Sequence, residues 1–337
     1  MQEPTPLRAK PAVDGLASSD EWETESETRE CVVGSEAHRQ RLDKVLADLL
    51  PAFSRSYLKG LIEDGFVQAQ DASQPSRKPA MLVNAGQRFR VHLQPTESSL
   101  AYVPQDMPLN LVYEDNDLRV IDKPVGLVVH PAPGHWSGTL LNGLLARDPK
   151  AAHVPRAGIV HRLDKDTSGL MVVARHRQAM DALVDAIAAR QVQRQYLAIS
   201  QRPWQGTLER EVNLPIGRDP QQRLRMAVVD LRLHAGKPAQ TLFRCLQSNE
   251  HGALVHATLQ TGRTHQIRVH MASLGHPLVG DRLYGGARHD LIDRQALHAF
   301  HLSFNQPMTG KALRFESPLP ADMQSLLTAW GLKNPLG

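Results

Sequence analysis

One stretch of the chain, residues 158–174, limits its possible folds more than any other. Apolar residues at both ends of this stretch flank a charged segment at 161–168. The pattern predicts two short buried strands joined by a polar loop. Asp164 lies in the middle of that loop, close to Arg162 and Lys165. Reactive side chains are often held on a loop that a rigid scaffold fixes, and a solvated charged turn is the alternative interpretation.

Length and composition exclude several classes of protein. The chain has 337 residues, of which 41% are hydrophobic, and this is enough for two domains. No run approaches the roughly 18 apolar residues of a membrane helix, and the N-terminus lacks the pattern of a secretory signal. Two cysteines, Cys31 and Cys245, are too few for a disulfide scaffold. We therefore expect a cytoplasmic protein that does not contact a membrane.

The charge distribution favours a nucleic-acid partner. Residues 1–30 contain eight acidic and three basic residues, so within a total charge of +4 the remaining residues carry +9. A basic folded region behind an acidic segment is typical of nucleic-acid-binding proteins, and a basic solvated surface is the alternative. The start of the chain is rich in Pro, Ser, Glu and Thr and lacks periodic apolar positions. We expect residues 1–38 to form a disordered acidic tail.

Residues 39–93 have the pattern of a small α/β domain. The helical spacing of apolar residues predicts an amphipathic helix from Leu42, and Ser54 is placed to cap a second helix that Gly65 ends. Two further apolar runs predict short strands. Five basic residues lie on or beside the two helices, where they can contact phosphates: Arg39, Arg41, Lys44, Arg55 and Lys59.

A proline-containing linker at 94–108 leads into a larger region, residues 109–337. Alternating apolar positions predict several antiparallel strands in this region. Helices are predicted at 139–146, at 180–190 and after a cap at Thr264. The last helix places Arg268 outside its apolar stripe, where the guanidinium can neutralise a carboxylate.

Two groups of polar residues in the larger region permit other interpretations. His130 and His135 are potential metal ligands, but no third ligand follows at a helical or strand spacing, so we expect no metal. A metal-dependent hydrolase built on the sixteen histidines is the alternative of that class. Nearby, Asp122 stands beside Lys123, and we predict that the two form a structural ion pair.

The motifs of the chain resemble one family of RNA enzymes. The chain is similar to the RluA-type pseudouridine synthases in the run His161-Arg162-Leu163-Asp164 followed by Thr167-Ser168-Gly169. A second block at 261–271 and further segments between residues 39 and 330 follow the order of that family. The resemblance implies an α+β fold in which a mixed, largely antiparallel sheet is flanked by helices. It also implies isomerisation of uridine to pseudouridine without a cofactor.

Residues 39–93 resemble a second known module, the S4 RNA-binding domain. The resemblance lies in Arg41-Leu42-Asp43, in Ser54-Arg55-Ser56 and in Gly65-Phe66-Val67. It implies that the basic residues of the two helices contact RNA. The segment 68–72 departs from the usual hairpin of the module, and a small protein-interaction domain is the alternative.

The family resemblance assigns roles to individual residues. It implies that Asp164 acts at the junction of sugar and base, as a nucleophile or as a base, and that Arg268 keeps this carboxylate charged and fixed. Tyr196 is expected to face the target uracil, where C5 loses its proton. Arg162 is expected to fill the gap that the extruded base leaves in the RNA. The other residues expected at the RNA surface are His161, which also shapes the turn, Thr167, Arg263 and His265.

Two segments narrow the expected substrate within the family. The segments 154–159 and 226–228 resemble the corresponding segments of those family members that modify the helix 69 stem-loop of bacterial 23S rRNA. We therefore expect a monomer whose partner is 23S rRNA or a pre-50S particle. A related synthase with other 23S rRNA targets and a non-catalytic assembly factor with an S4 domain are the alternatives. The presence of Asp164, Tyr196 and Arg268 favours an enzyme over the assembly factor.

Overall fold

The computed structural model describes residues 27–51, 53–70, 76–93, 101–132, 135–222 and 225–336. The chain divides into two compact units, residues 1–96 and 97–337. This division falls inside the predicted linker at 94–108, of which residues 94–100 lie outside the described ranges. The rest of that linker packs on the larger unit, because the Asn142 side chain donates hydrogen bonds to the carbonyls of Ala101 and Val103 at 3.3 and 2.9 Å.

In the N-terminal unit, two helices pack on a three-stranded antiparallel sheet in which β3 is central. The strands and helices are β1 Glu27–Val32, α1 Leu42–Leu49, α2 Arg55–Glu63, β2 Val67–Ala69 and β3 Arg88–Leu93. Leu42, Leu58 and Phe89 are fully buried between the two layers. The Ser54 hydroxyl accepts a hydrogen bond from the Tyr57 N–H at 3.2 Å, which confirms the predicted helix cap.

The predicted acidic tail at 1–38 is too long, because the folded unit begins before Arg39. Strand β1 pairs antiparallel with β3, with Val32 opposite Arg88. Cys31 is buried in this strand, whereas its neighbours on both sides are exposed. A strand with one buried side chain has no hydrophobic alternation to reveal it, and main-chain pairing holds it in place. Residues 1–26 of the predicted tail lie outside the described ranges.

The larger unit is built on a nine-stranded sheet, with a second sheet of three strands beside it. Its strands are β4 Leu111–Glu114, β5 Leu118–Lys123, β6 Ser168–Ala174, β7 Gln193–Ser200, β8 Glu209–Asn213, β9 Ile216–Arg218, β10 Met226–Val228, β11 Gly236–Lys237, β12 Gln240–Ser248, β13 Ala253–Leu259, β14 Leu297–Asn305 and β15 Ala312–Glu316. The large sheet has the order β4-β5-β6-β14-β7-β13-β12-β8, with β15 paired to β14. Among the described strands only β6 and β14 pair in parallel, so the predicted mixed, largely antiparallel sheet is confirmed.

Four helices pack on the sheets of the larger unit. They are α3 Leu140–Arg147, α4 Arg177–Ala188, α5 Gln266–Ser273 and α6 Ala321–Ala329. Thr139 caps α3 through a reciprocal capping box with Asn142, and the predicted helix is confirmed. The pattern did not predict α6. Within the described ranges, no helix is both long and apolar enough to cross a membrane.

The central stretch forms one strand instead of the two predicted. All seven residues of β6 are buried, as expected for the second strand. The residues of the predicted first strand are irregular, and Ile159 makes a single antiparallel bridge to β6. The preceding segment Pro155–Gly158 is a short 3-10 helix in which Arg156 and Ala157 have positive φ angles of 55° and 52°. Such a backbone does not run on into an extended strand.

Helix α5 is buried on almost every side, whereas the sequence predicted one buried apolar stripe with Arg268 outside it. The six residues from Gln266 to Met271 are all buried, including Arg268. The predicted cap at Thr264 is wrong as well. His265 precedes the helix in the left-handed conformation, with φ of 58°, and makes no side-chain cap bond. The prediction failed because α5 buries polar and charged side chains that are paired inside the fold.

Gly169→Ala is expected to destabilise the larger unit by roughly 2–4 kcal/mol. Gly169 has a φ of +113°, and an added Cβ would lie 2.2 Å from the carbonyl oxygen of Ala299 on the neighbouring strand. Chemical unfolding of the variant measures this loss. Gly138→Ala is the control, because its φ of +66° is also positive but no atom lies within 4 Å of the new Cβ. Equal losses would contradict the close approach of β6 to β14.

Candidate active site

A cavity of about 670 Å³ in the larger unit brings most of the predicted site residues together. Its walls come from the loop before β6, from β7 and from the turn before α5. The predicted site residues that line it are Asp164, Tyr196, Arg268, Arg162, His161, Thr167, Arg263 and His265. A volume of this size can hold a nucleotide.

The loop that carries Asp164 is anchored by Lys123 at the end of β5. Lys123 is fully buried, and its Nζ donates hydrogen bonds to the carbonyls of Pro124, Leu127 and Lys165 at 2.8, 3.0 and 2.9 Å. Three carbonyl acceptors satisfy all three N–H donors of the ammonium group. The bond to Lys165 fixes the backbone directly after the catalytic candidate Asp164.

Lys123 is held by carbonyls and not by the predicted ion pair. Asp122 instead accepts a hydrogen bond from the Ser317 hydroxyl at 2.8 Å, and no ion pair joins it to Lys123. Successive side chains of a strand point to opposite faces, which separates these two neighbours. Burial lowers the pKa of Lys123 to about 8, while the charges of Asp166 and Asp164 act in the opposite direction.

The other end of the loop is fixed by Arg294 and Gln295. Arg294 donates to the carbonyl of Asp166 at 3.0 Å and binds both carboxylate oxygens of Asp322 on α6 at 2.6 and 2.9 Å. The Gln295 side chain donates to the Thr167 hydroxyl at 3.0 Å. Thr167 therefore lines the cavity as a buried residue whose hydroxyl is already hydrogen-bonded to Gln295.

Arg268 joins two carboxylates at the floor of the cavity. Its Nη1 donates to Asp164 at 3.1 Å, while Nε and Nη2 form a bidentate pair with Asp281 at 2.7 and 2.8 Å. The Asp281 side chain is fully buried, whereas 17% of the Asp164 side chain is exposed. Asp281 therefore fixes the guanidinium, and the remaining N–H group fixes Asp164 at the cavity wall.

The pairing keeps Arg268 charged although it lies inside the protein. Burial alone disfavours its charged form, but hydrogen bonds and charges from Asp281 and Asp164 raise the pKa of Arg268 above its ordinary value. The guanidinium also lies 5.0 Å from the ring centre of Tyr284, within range of a cation–π contact. A permanent positive charge thus stands next to Asp164.

His265 is oriented toward Asp164 by a short hydrogen-bonded chain. The Met226 N–H donates to the Tyr284 hydroxyl at 3.0 Å, and this hydroxyl lies 2.7 Å from His265 Nδ1. The hydroxyl and Nδ1 share one proton in this bond, and Nε2 on the other side of the ring lies 3.9 Å from the Asp164 carboxylate. Burial lowers the pKa of His265, and Asp164 only partly opposes this, so the imidazole is neutral near pH 7.

Tyr196 lies on β7 and faces the same cavity. Its side chain is 4% exposed, and it pairs across the sheet with Ala257 on β13. Burial raises the pKa of Tyr196 to about 12, with the charge of Asp164 adding to the effect and that of Arg194 opposing it. Tyr196 is therefore a neutral phenol at physiological pH.

The remaining predicted RNA contacts differ in how exposed they are. His161 Nε2 accepts a hydrogen bond from the Val172 N–H at 3.1 Å, and burial lowers the pKa of His161 to about 3. His161 is therefore a neutral imidazole that ties the turn to β6. Arg162 is exposed at the cavity, and Arg263 donates to the carbonyl of Pro238 at 3.0 Å.

Two of the predicted RNA contacts of the N-terminal unit, Arg41 and Arg55, share one carboxylate. Arg41 and Arg55 both bind the buried Asp43, at 3.0 and 2.8 Å. Lys59 lies 3.6 Å from Glu63, while Lys44 is exposed. About half of each paired basic side chain remains exposed, so Asp43 orients the arginines without hiding them.

Sequence reasoning missed three residues that shape the site. The sequence pattern predicted Lys123 only as a partner for Asp122, and it assigned no role to Asp281 or Tyr284. Nothing in a linear sequence states that Asp281 binds Arg268 from the side opposite to Asp164. Among the described residues, no group of three potential ligands is placed to hold a metal ion.

Comparison with known proteins identifies the family. A family model described as RNA pseudouridylate synthase matches residues 117–273, which include Asp164, Tyr196 and Arg268. A Neisseria meningitidis serogroup A protein named "Ribosomal large subunit pseudouridine synthase D" is 48% identical over 307 residues, which are 87% of this chain and 79% of the relative. The chain belongs to the RNA pseudouridylate synthase family.

Other RNA pseudouridylate synthases agree with this assignment. Relatives with the same name from Nitrosomonas europaea and Xanthomonas campestris are 47% and 45% identical, and the matches cover 86% and 90% of this chain. They cover 84% and 93% of the two relatives. Two solved human structures, RNA Pseudouridylate Synthase Domain Containing 1 and 4, match with TM-scores of 0.51 and identities of 27% and 25%. Each match covers 67% of this chain and 96% or 94% of the human one, and the predicted pseudouridine synthase fold is confirmed.

Proposed function

We propose that this chain isomerises uridines of bacterial 23S rRNA to pseudouridine, in the helix 69 stem-loop, with Asp164 as the catalytic carboxylate. The single observation that supports this best is the placement of Asp164 at the wall of a nucleotide-sized cavity, hydrogen-bonded to Arg268. The names of the relatives support the ribosomal large subunit as the source of the substrate.

The reaction exchanges one bond of the nucleotide for another. The bond between uracil N1 and the sugar C1′ breaks, a bond between C5 and C1′ forms, C5 loses its proton and N1 gains one. A carboxylate can attack C1′ or remove a proton from the sugar, and Asp164 is the carboxylate that lines the cavity. Arg268 holds the Asp164 carboxylate in one orientation, which lowers the entropic cost of reaching the transition state.

Tyr196 is assigned to the uracil side of the reaction. Because the pKa of Tyr196 is raised to about 12, the phenol is protonated at neutral pH. A protonated phenol does not itself take a proton from C5, but it can orient the base and the water that does so. Arg162 is exposed at the cavity, and we assign it to the position that the extruded base leaves in the RNA.

The N-terminal unit is proposed to bind RNA in the manner of an S4 domain. Lys44→Gln together with Lys59→Gln is expected to reduce the slope of log Kd against log salt by about 1.5, because each lost phosphate contact removes about 0.7–0.9. Filter binding of an rRNA fragment at several salt concentrations measures this. Lys311→Gln with Lys333→Gln, two exposed lysines of the larger unit, is the control. An unchanged slope in the first variant would contradict the proposed contact.

Pseudouridine mapping in the 23S rRNA of cells that lack the gene tests the proposed substrate. We expect pseudouridines of the helix 69 stem-loop to be missing and to return when the wild-type gene is supplied. Loss of pseudouridine elsewhere in 23S rRNA would indicate the related synthase with other targets. Unchanged pseudouridine combined with defective large subunits would indicate an assembly factor.

A further inference from the structure

Arg194 is a buried arginine in the wall of the active-site cavity. It lies on β7 two residues before Tyr196, so the two side chains share one face of the strand. Arg194 is 6% exposed and lines the same cavity as Asp164 and Tyr196. None of the roles described above uses it.

Arg194 differs from the other buried arginines of the described residues in having no partner. Arg119 binds Glu114 and Asp148, Arg268 binds two aspartates, and Arg294 binds Asp322. Within the described ranges, the Arg194 side chain forms no ion pair, and its buried Nε has no hydrogen-bond partner. A buried charge without a partner is costly, and burial accordingly lowers the pKa of Arg194.

The guanidinium group reaches the rim of the cavity at Gly262. A Cβ added to Gly262 would lie 2.8 Å from Arg194 Nη1, so the absence of a side chain there makes room for the guanidinium. Gly262 itself is exposed, so the guanidinium lies beside an exposed part of the cavity rim. Arg263 follows directly, and the like charges of Arg194 and Arg263 repel each other.

The cavity as a whole has an excess of positive charge. Five arginines line it: Arg156, Arg162, Arg194, Arg263 and Arg268. Asp164 is the one carboxylate among the described lining residues, and Arg268 already binds it. A negative group from the substrate is therefore the fitting partner for Arg194.

We propose that Arg194 binds a backbone phosphate of the substrate RNA next to the extruded nucleotide. A phosphodiester carries a full negative charge, so it can pair with the guanidinium of Arg194, which has no acidic partner in the described part of the protein. Arginine can bind a phosphate through two N–H groups. Tyr196 lies on the same face of β7 and is assigned to the base. Two alternate residues of one strand would then contact the backbone and the base of the same nucleotide. This inference rests on the proposed RNA substrate and adds a positioning residue for its backbone.

The salt dependence of RNA binding tests the phosphate contact. Arg194→Gln is expected to raise Kd and KM for an rRNA stem-loop about tenfold or more, since a charged hydrogen bond is lost, with kcat at saturating RNA within about threefold. The slope of log Kd against log salt should fall by about 0.7–0.9. Arg194→Lys should restore most of the slope. Arg314→Gln is the matched control, because it removes the same charge from an exposed arginine on β15. It should leave Kd unchanged.

A weaker Kd with an unchanged salt slope would overturn the proposal, because it would indicate a contact with an uncharged group such as a uracil carbonyl. Gly262→Ala supplies a second variant that keeps the charge and displaces the guanidinium. It should raise KM in the same direction as Arg194→Gln. An unaltered KM in Gly262→Ala would contradict the placement of the phosphate at this rim.

Thermal unfolding separates the proposed role from a structural one. Because Arg194 has no protein partner, Arg194→Gln should leave Tm unchanged or raise it, whereas Arg119→Gln should lower Tm. A lower Tm in Arg194→Gln would mean that the arginine holds the fold. Since Kd and Tm do not require turnover, these results remain interpretable even if the wild-type protein isomerises no uridine.

Discussion

Asp164→Asn is expected to lower kcat for uridine isomerisation by at least about 10⁴-fold, while Kd for RNA stays within about threefold of wild type. The amide keeps the shape of the carboxylate and can still contact Arg268, so the cavity retains its form. It cannot attack C1′ or accept a proton from the sugar, and the reaction loses its central group. Single-turnover measurement of pseudouridine formation, together with fluorescence anisotropy for binding, checks both parts.

The control for this variant is Asp181→Asn on α4. Asp181 is exposed and, of the residues that the structure describes, pairs with Arg177 on its own helix alone, so its replacement should change neither kcat nor Kd. If Asp164→Asn lost binding and turnover together, Asp164 would have a structural role. Substantial turnover by Asp164→Asn would remove the carboxylate from the reaction.

Arg268→Met is expected to destabilise the larger unit by about 3–5 kcal/mol and to reduce turnover severely. The change leaves Asp281 as a fully buried carboxylate without its bidentate partner, and it removes the group that binds Asp164. An uncompensated buried charge costs more than the ion pair contributed. Urea unfolding measures the free energy of unfolding, and the pseudouridine assay measures turnover.

A double variant tests whether the stranded charge of Asp281 causes this loss of stability. Adding Asp281→Asn to Arg268→Met removes the buried charge directly and should restore most of the stability. It should not restore activity, because Asp164 still lacks the group that orients it. A double variant as unstable as Arg268→Met would contradict this explanation.

The sequence was most informative where one short motif carries the chemistry. The run around Asp164 predicted a charged loop fixed by buried structure, and the structure places Asp164, Tyr196 and Arg268 on one cavity although they are far apart in the chain. Helices with regular apolar spacing, such as α1 and α3, were also predictable. In each case the local pattern and the tertiary environment impose the same structure.

The sequence was uninformative where tertiary pairing reverses the usual preference of a residue. Helix α5 buries Arg268, which a stripe of apolar residues cannot reveal, because its partner Asp281 lies in a later segment. His265 has a left-handed backbone that no cap pattern predicts. In strand β1, residues 28–32 include a single buried side chain, that of Cys31, so main-chain pairing and not a hydrophobic pattern identifies the strand. These three features depend on contacts with residues that are distant in the sequence.

Tritium release from RNA labelled at uridine C5 tests the central claim most directly. Large-subunit particles or the helix 69 stem-loop would be incubated with the wild-type protein and with Asp164→Asn side by side. We predict that the wild type releases tritium in step with pseudouridine formation and that Asp164→Asn releases none. Equal release by both proteins, or no release by the wild type despite tight RNA binding, would contradict the account.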